Sequence, residues 1–190
     1  MNQPPSLHKA LAGDRQALEQ LAADCHRAVF GYLVRMTGSR ERAADLAQDT
    51  VLSMLQSLDA WRPRPGAGFL SWVFRIARNR MIDESRKRRE EPLPEGDGWA
   101  ATACDACDDT IRRAEAAGLM AALDRLPPAD KELMLFRWFH GLSHREIAAI
   151  LSVKPAIVKS RLNAALTRLR KQYSSLEGEG PNAKTNQTRA

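Results

Sequence analysis

The chain has 190 residues, of which 44% are hydrophobic and 6% aromatic, and its formal net charge is +6 at pH 7. This length suits one ordinary domain or two small ones, and the apolar content supports packed cores, which excludes wholesale disorder. The charge is uneven: residues 142–173 hold seven Lys or Arg and one acid, whereas residues 90–109 hold seven acids and no Lys or Arg. A basic block beside an acidic connector indicates a polyanion-binding protein.

Helices are the only regular elements that the sequence predicts. The first helical segment covers residues 7–37 and stops at Gly38, and the second covers residues 40–58. The loop RPRPGAG at residues 62–68 then interrupts the chain, because paired prolines and glycines cannot continue a helix. A third helix covers residues 69–88. Because no strand-like alternation occurs, we expect an all-α fold.

The composition divides this all-α fold into two small helical domains, at residues 8–91 and 113–175. Between them, residues 92–112 are acidic and rich in Pro, Gly and small side chains, which predicts a flexible linker. The polar residues 176–190 predict a disordered tail.

The second helix has one apolar stripe and one polar face. The predicted core stripe consists of Ala44, Ala47, Val51, Met54, Leu55 and Leu58. The opposite face consists of Asp45, Gln48, Asp49, Leu52 and Gln56. Leu52 is apolar within that polar face, which indicates a surface for a partner.

The third helix carries an aromatic and cationic stripe. Its members follow helical spacing and are Trp72, Arg75, Asn79, Asp83 and Arg86. The basic run RKRR at residues 86–89 follows, and this combination suits unstacked bases and backbone phosphates. Taken alone, the same pattern also fits a core tryptophan with solvated arginines.

The segment SHREIAAILSVKPAIVKSRL, residues 143–162, has the pattern of a helix-turn-helix. Ser143 and Glu146 have the spacing of a capping box, and Pro155 is tolerated in the first turn of a new helix. The second helix of such a motif enters the major groove of duplex DNA. The alternative is a helical hairpin with no nucleic-acid role, which the concentrated basic charge disfavours.

Location and cofactors are suggested by what the sequence lacks. The first residues, MNQPPSLHKALAGD, have no apolar core, and no apolar run reaches the ~20 residues of a membrane span. The odd number of cysteines, three, favours a reducing compartment, so we expect a cytoplasmic protein. Cys104 and Cys107 form a CxxC pair, but no other Cys or His has matching spacing, so we expect neither a metal nor another cofactor.

Three segments together resemble the extracytoplasmic-function (ECF, group IV) sigma factors, RNA polymerase subunits of the sigma-70 family. RERAADLAQDTVLSML resembles sigma region 2.2, and FLSWVFRIARNRMIDESRKRR resembles regions 2.3 and 2.4. LDRLPPADKELMLFRWFHGLSHREIAAIL, followed by VKSRLNAALTRLRK, resembles region 4. The resemblance covers about residues 17–173 and implies a region 2 bundle in the first domain and a region 4 helix-turn-helix in the second.

The resemblance implies an alternative sigma factor, not an enzyme, that binds core RNA polymerase and recognises promoter −10 and −35 elements. It implies contacts to the beta-prime clamp and beta flap, and control by an anti-sigma factor in a stress or envelope response. The implied clamp-binding residues are Asp45, Leu46, Gln48, Asp49 and Leu52. The implied −10 residues are Trp72, Arg75, Arg78, Asn79, Arg80, Asp83, Arg86, Lys87, Arg88 and Arg89. The implied −35 residues are Ser143, His144, Arg145, Lys154, Pro155, Ala156, Lys159, Ser160, Arg161 and Asn163.

The turn departs from the family pattern, which usually has Gly near position 152 and a set of Ser, Gly or Thr before VKSR. The corresponding residues here are Ser152, Lys154, Ala156 and Ile157, so the −35 sequence need not be the family's commonest one. A rival hypothesis is a stand-alone transcription regulator with a ligand-sensing first domain. It predicts an apolar pocket and duplex binding without polymerase. No nucleotide loop, HExxH or nucleophile motif supports an enzyme.

Overall fold

The computed structural model describes residues 4–90 and 110–178. Within these ranges every regular element is a helix, which confirms the all-α prediction. The helices are α1 Leu7–Leu11, α2 Arg15–Thr37, α3 Arg40–Gln56, α4 Phe69–Glu90, α5 Thr110–Asp124, α6 Pro128–Met134, α7 His144–Leu151 and α8 Pro155–Gly178, with a π-helical turn at Leu135–Phe139 after α6. None of the helices in these ranges is both long and apolar enough to cross a membrane.

The acidic stretch at residues 91–109 and the end of the chain from residue 179 lie outside the described residues. The predicted thiol pair of Cys104 and Cys107 falls in the first of these stretches. Helix α5 begins at Thr110, slightly inside the range predicted as linker, and α8 continues to Gly178.

The first predicted helical segment consists of two helices rather than one. Gly13 has a φ of +89°, and the side chain of Asp14 caps α2 by accepting a 3.1 Å hydrogen bond from the Ala17 N–H. Helix α2 then ends at Gly38, whose φ of +71° is the left-handed conformation that glycine adopts without strain. The predicted stop at Gly38 is therefore confirmed. The break at Gly13 was not predicted.

The core of the N-terminal domain lies between α2, α3 and α4. Its buried side chains include Leu21, Leu33, Met54 and Val73. The buried stripe of α3 is rotated from the predicted one and consists of Ala43, Leu46, Ala47, Thr50 and Met54. Ala44, predicted to be in the core, is exposed.

The C-terminal domain packs α8 against α5, α6 and α7. The inner face of α8 is the predicted one, with Val158, Leu162 and Leu169 buried together with Ala165. Leu166, also predicted there, is partly buried. The side of α8 that faces away from this core is exposed at Lys159, Asn163 and Arg170.

The two domains contact each other through an aromatic cluster. The Phe136 ring, from the π-helical turn of the C-terminal domain, stacks on Tyr32 of α2 at a centroid distance of 5.0 Å. Phe136 also meets Phe74 of α4 edge-on at 5.4 Å, and Phe74 meets Tyr32 at 5.7 Å. All three side chains are buried, so the domains share an apolar contact.

Candidate nucleic-acid interface

The helix-turn-helix is built by the local interactions that its sequence predicts. The Ser143 hydroxyl accepts a hydrogen bond from the Glu146 N–H at 3.2 Å, and Glu146 Oε2 accepts one from the Ser143 N–H at 2.9 Å. This capping box fixes the start of α7. Ser152 ends α7 in the left-handed conformation, with a φ of +55°, and Pro155 is the first residue of α8. The proline is therefore the junction between two helices.

The outer side of this motif is a free cationic surface. Residues exposed on or beside α8 are Lys154, Pro155, Ala156, Ile157, Lys159, Ser160, Arg161 and Asn163, and those exposed at the start of α7 are Ser143 and Arg145, with His144 half-buried. Within residues 4–90 and 110–178, no carboxylate forms an ion pair with Lys154, Lys159 or Arg161. These cations are available to phosphate oxygens without first breaking a protein contact.

The aromatic stripe of α4 borders a cleft of about 360 Å³ between α4 and the α3–α4 loop. Trp72 lines this cleft and also packs on Phe69 at a centroid distance of 5.5 Å, so it belongs partly to the core. Arg62, Arg64 and Arg75 line the same cleft. The combination of an indole face and guanidinium groups suits an unstacked base and its phosphate.

The remaining members of the stripe extend along the outer side of α4. Asn79, Asp83, Arg86 and Lys87 are exposed, and Arg88 is half-buried. The side chain of Arg89 lies outside what the structure describes. The stripe therefore runs from the cleft toward the basic end of α4.

Unlike Lys159 and Arg161 of α8, several cations of α4 are bound by protein carboxylates. Arg80 forms a 3.5 Å ion pair with Asp49 and a hydrogen bond with the Ser53 hydroxyl. Arg88 lies 3.9 Å from Glu84. Glu84 also receives two hydrogen bonds from Arg42, at 2.9 and 2.8 Å, which raise the pKa of the Arg42 guanidinium.

A third paired arginine of α4, Arg78, bonds across the domain boundary. Its Nε donates a 3.0 Å hydrogen bond to Glu132 Oε1, and the same oxygen accepts a 2.7 Å hydrogen bond from the Tyr32 hydroxyl. The sequence analysis missed Tyr32 and Glu132. They are 100 residues apart, so no helical periodicity could have paired them.

Most of the α3 residues that are predicted to bind polymerase are exposed. Asp45, Gln48, Asp49 and Leu52 are exposed, and half of the Leu52 surface is accessible to solvent. Leu46 does not belong to this surface, because the rotated stripe of α3 places it in the core with 7% exposure. Its inclusion among the clamp-binding residues is corrected accordingly.

Burial shifts the pKa values of two side chains, Cys25 and His140. Burial raises the pKa of the Cys25 thiol to about 12, which keeps it protonated and unreactive. Burial, with a smaller contribution from the Arg35 charge, lowers the pKa of His140 to about 4. Across residues 4–90 and 110–178, no group of three His, Cys, Asp or Glu side chains could hold a metal ion.

Comparison with known proteins agrees with this arrangement. Residues 21–91 match Sigma-70 region 2, and residues 117–169 match Sigma-70, region 4. The chain is 35% identical over 162 residues to the ECF RNA polymerase sigma factor RpoE of Cereibacter sphaeroides, covering 85% of this chain and 88% of that relative. It is 31% identical over 176 residues to the RNA polymerase sigma factor CarQ of Myxococcus xanthus, covering 88% of this chain and 95% of CarQ.

Two solved structures share the fold. The sigma factor RpoE, in its complex with the anti-sigma factor NepR from Bartonella quintana, matches with a TM-score of 0.67 at 21% identity, covering 82% of this chain and 96% of that one. CnrH, in its complex with the cytosolic domain of CnrY, matches with a TM-score of 0.62 at 23% identity, covering 92% and 97%. The chain belongs to the ECF RNA polymerase sigma factors of the sigma-70 family.

Proposed function

We propose that this protein is a non-enzymatic, cytoplasmic initiation factor that binds core RNA polymerase and directs it to promoters by reading a −10 and a −35 element. The observation that carries the proposal is the presence of two nucleic-acid surfaces of different chemistry on one chain. The helix-turn-helix offers free cations around Lys159 and Arg161 on an exposed helix, which suits intact duplex. Helix α4 offers a cleft with Trp72 and Arg75, which suits separated strands.

Within this function, α4 and its cleft hold the −10 strand. Trp72 provides a stacking surface, and the exposed amide of Asn79 binds the edge of an unstacked base. The phosphates are bound by Arg75, Arg86, Lys87 and Arg88, together with Arg78, Arg80 and Arg89, and Asp83 lies among them.

The C-terminal domain binds the −35 element and the beta flap of the polymerase. The N-terminal part of α8 enters the major groove with Ala156, Ser160 and Asn163, while Lys159 and Arg161 reach the phosphates. The flanking positions, Ser143, His144, Arg145, Lys154 and Pro155, contact the backbone at the turn and at the start of α7.

The exposed face of α3, formed by Asp45, Gln48, Asp49 and Leu52, binds the beta-prime clamp of core polymerase. The Asp49→Arg variant should therefore lose most of its association with core enzyme, because the charge on this face is reversed. Glu19→Arg is the matched control, since Glu19 is an exposed carboxylate paired with Arg15 on α2, away from this face. Pull-down of core polymerase at equal melting temperature tests the assignment, and unchanged recovery with Asp49→Arg contradicts it.

An anti-sigma factor is the expected regulator of this protein. Both solved structures that share its fold are complexes, one with the anti-sigma factor NepR and one with the cytosolic domain of CnrY. The expected partner is a protein that releases this chain under stress or envelope damage.

The decisive experiment is run-off transcription with purified core polymerase on promoters that respond to this protein in cells. We expect initiation only when the protein is present, together with weak binding of the protein alone to duplex promoter DNA. Absence of initiation on every such promoter contradicts the proposal. Tight, specific duplex binding without polymerase would favour the stand-alone regulator instead.

A further inference from the structure

Glu132 connects the C-terminal domain to the N-terminal domain. It lies on α6, its side chain is 7% exposed, and its Oε1 accepts hydrogen bonds from Tyr32 and Arg78, both in the N-terminal domain. Its neighbour on α6, Asp130, instead pairs with Arg168 of the C-terminal domain. Glu132 is thus a buried carboxylate whose described partners all belong to the other domain.

The surroundings of this carboxylate strengthen the contact. Glu132 and Phe136 are four residues apart, and they face Phe74 and Arg78, which are also four residues apart on α4. The buried Tyr32, Phe74 and Phe136 rings pack together next to this carboxylate, and such apolar surroundings strengthen charge-assisted hydrogen bonds. Burial and the Glu132 charge raise the pKa of Tyr32, so its hydroxyl stays protonated and donates.

The same closure covers the cleft proposed for the −10 strand. Ala149 of α7 forms part of the cleft wall. A methyl group added to Gly68 would lie 2.7 Å from Glu146 Oε1, and one added to Gly66 would lie 3.4 Å from Arg145 Cβ. The first helix of the helix-turn-helix therefore lies directly against the α3–α4 loop, and Arg145 of the −35 surface contacts that loop.

We propose that Glu132 is an interdomain latch that occupies Arg78 in place of a DNA phosphate, so that domain closure and binding of the −10 strand exclude each other. The proposal rests on the proposed function only in taking Arg78 as a phosphate ligand. In the closed form a carboxylate satisfies Arg78 and the helix-turn-helix lies against the cleft. In the open form Arg78, the cleft and the loop-facing side of α7 become available together.

The closed form also carries a cost that keeps the latch reversible. Glu146 Oε1 is buried beside Gly68 and has no hydrogen-bond partner within the described part of the chain. Opening the domains returns this oxygen to water, which offsets part of the loss at Glu132. The bonds of Glu132 favour the closed form, and the unpaired Glu146 oxygen favours the open form. We therefore expect the protein to reach both forms.

The first test measures closure in the free protein by double electron–electron resonance. Spin labels are attached at Ala44→Cys and Ala164→Cys, both exposed, in a full-length chain whose native cysteines are replaced by alanine. Glu132→Ala should raise the ratio of open to closed molecules by about tenfold, because it removes two bonds to a buried charge. Tyr32→Phe should give a smaller rise. An interdomain distance distribution identical to that of the parent in both variants overturns the latch.

Asp130→Ala is the matched control, since it removes a carboxylate from the same helix but breaks a bond inside the C-terminal domain. It should leave the interdomain distance unchanged. If Asp130→Ala opens the domains as far as Glu132→Ala, the opening comes from damage to α6, and the latch is rejected.

The second test measures competition with phosphate, using a fluorescein-labelled single-stranded DNA of 20 degenerate bases. Glu132→Ala should tighten binding about threefold to tenfold, because more of the protein is competent to bind. The slope of log K against log salt should steepen by about 0.7, the value for one added contact to single-stranded DNA. Arg78→Gln in the Glu132→Ala background should remove the steeper slope.

The two tests separate the latch from the proposed function. An open distance distribution with unchanged DNA affinity and slope overturns the competition between Glu132 and phosphate. Failure of run-off transcription, with both shifts present, rejects promoter-directed initiation while the latch stands.

Discussion

The two nucleic-acid surfaces of this protein differ in how their cations are held. On α8, Lys159 and Arg161 project from an exposed face and form no ion pair within the described part of the chain. On α4, Arg78, Arg80 and Arg88 are each paired with a carboxylate. The surface proposed for duplex DNA is thus preformed, whereas three arginines of the surface proposed for the −10 strand would have to exchange protein carboxylates for phosphates.

This difference affects the free energy of DNA binding. A preformed cationic helix gains counterion release at once when it meets duplex DNA. A paired arginine gains only the difference between its carboxylate and a phosphate, so its binding depends on the conformation that holds the carboxylate.

Acid pH should have the largest effect, because it should open the contact between the two domains. His140 contacts Phe74 of the N-terminal domain at a ring distance of 4.5 Å, and its pKa is lowered to about 4 from 6.5. Because the pKa is lower in the closed protein, the packed His140 contributes fully above pH 6.5, and that contribution is lost as the pH falls toward 4.

The measurement is the interdomain distance distribution at pH 7.5 and at pH 5.0. We expect opening at the lower pH in the parent protein and a much weaker response in His140→Gln, which carries no titratable ring. Carboxylate titration is common to both proteins and cancels in the comparison. An equal response in the two proteins would show that His140 does not couple pH to closure.

A smaller effect is expected at Asn79, whose amide is exposed on α4. Asn79→Ala should lose hydrogen bonds to one base edge of the −10 strand, about 1–3 kcal/mol confined to that base. Permanganate footprinting on duplex and on pre-melted promoters separates strand opening from base preference. Pre-melting should rescue only the opening defect. Normal opening with retained preference for that base would exclude Asn79 as its reader.

The starts and ends of several helices were predicted correctly, because they depend on residues that are close together in the chain. The capping box of Ser143 and Glu146, the helix start at Pro155 and the stop at Gly38 each depend on residues within one helical turn. The stripe of α3 was predicted one position out of place, so Ala44 is exposed and Leu46 is buried. A helix that packs between two partners buries a face that its own pattern does not define uniquely.

The contacts between domains lay beyond sequence reasoning. Glu132 on a short helix has the pattern of a solvated charge, and Arg78 that of a free phosphate ligand. Their pairing depends on how the domains meet, which no spacing within either helix encodes. The sequence predicted where the cations of α4 lie along the helix, but it could not predict which of them are paired with carboxylates.

Lys159 should show a milder change on the preformed surface. Lys159→Ala should weaken capture of duplex DNA and reduce the salt slope by about 0.9, the value for one lost contact to B-form DNA. Arg15→Ala removes an exposed cation from α2 and is the control, because Arg15 is far from the helix-turn-helix in the chain and pairs with Glu19. An unchanged slope with Lys159→Ala would remove Lys159 from the phosphate contacts.

The smallest expected effect is a change in the free energy of unfolding caused by substitutions at the ends of two helices. Helices α2 and α7 both end in the left-handed conformation, but α2 ends with Gly38 and α7 with Ser152. Since a side chain in this conformation costs roughly 1 kcal/mol, Ser152→Gly should raise the free energy of unfolding by about 0.5–1 kcal/mol, less the greater freedom of glycine in the unfolded chain. Gly38→Ala should lower it by a similar amount. Urea unfolding of the two variants checks both signs. Destabilisation by Ser152→Gly would mean that the serine side chain contributes more at the turn than its backbone strain costs.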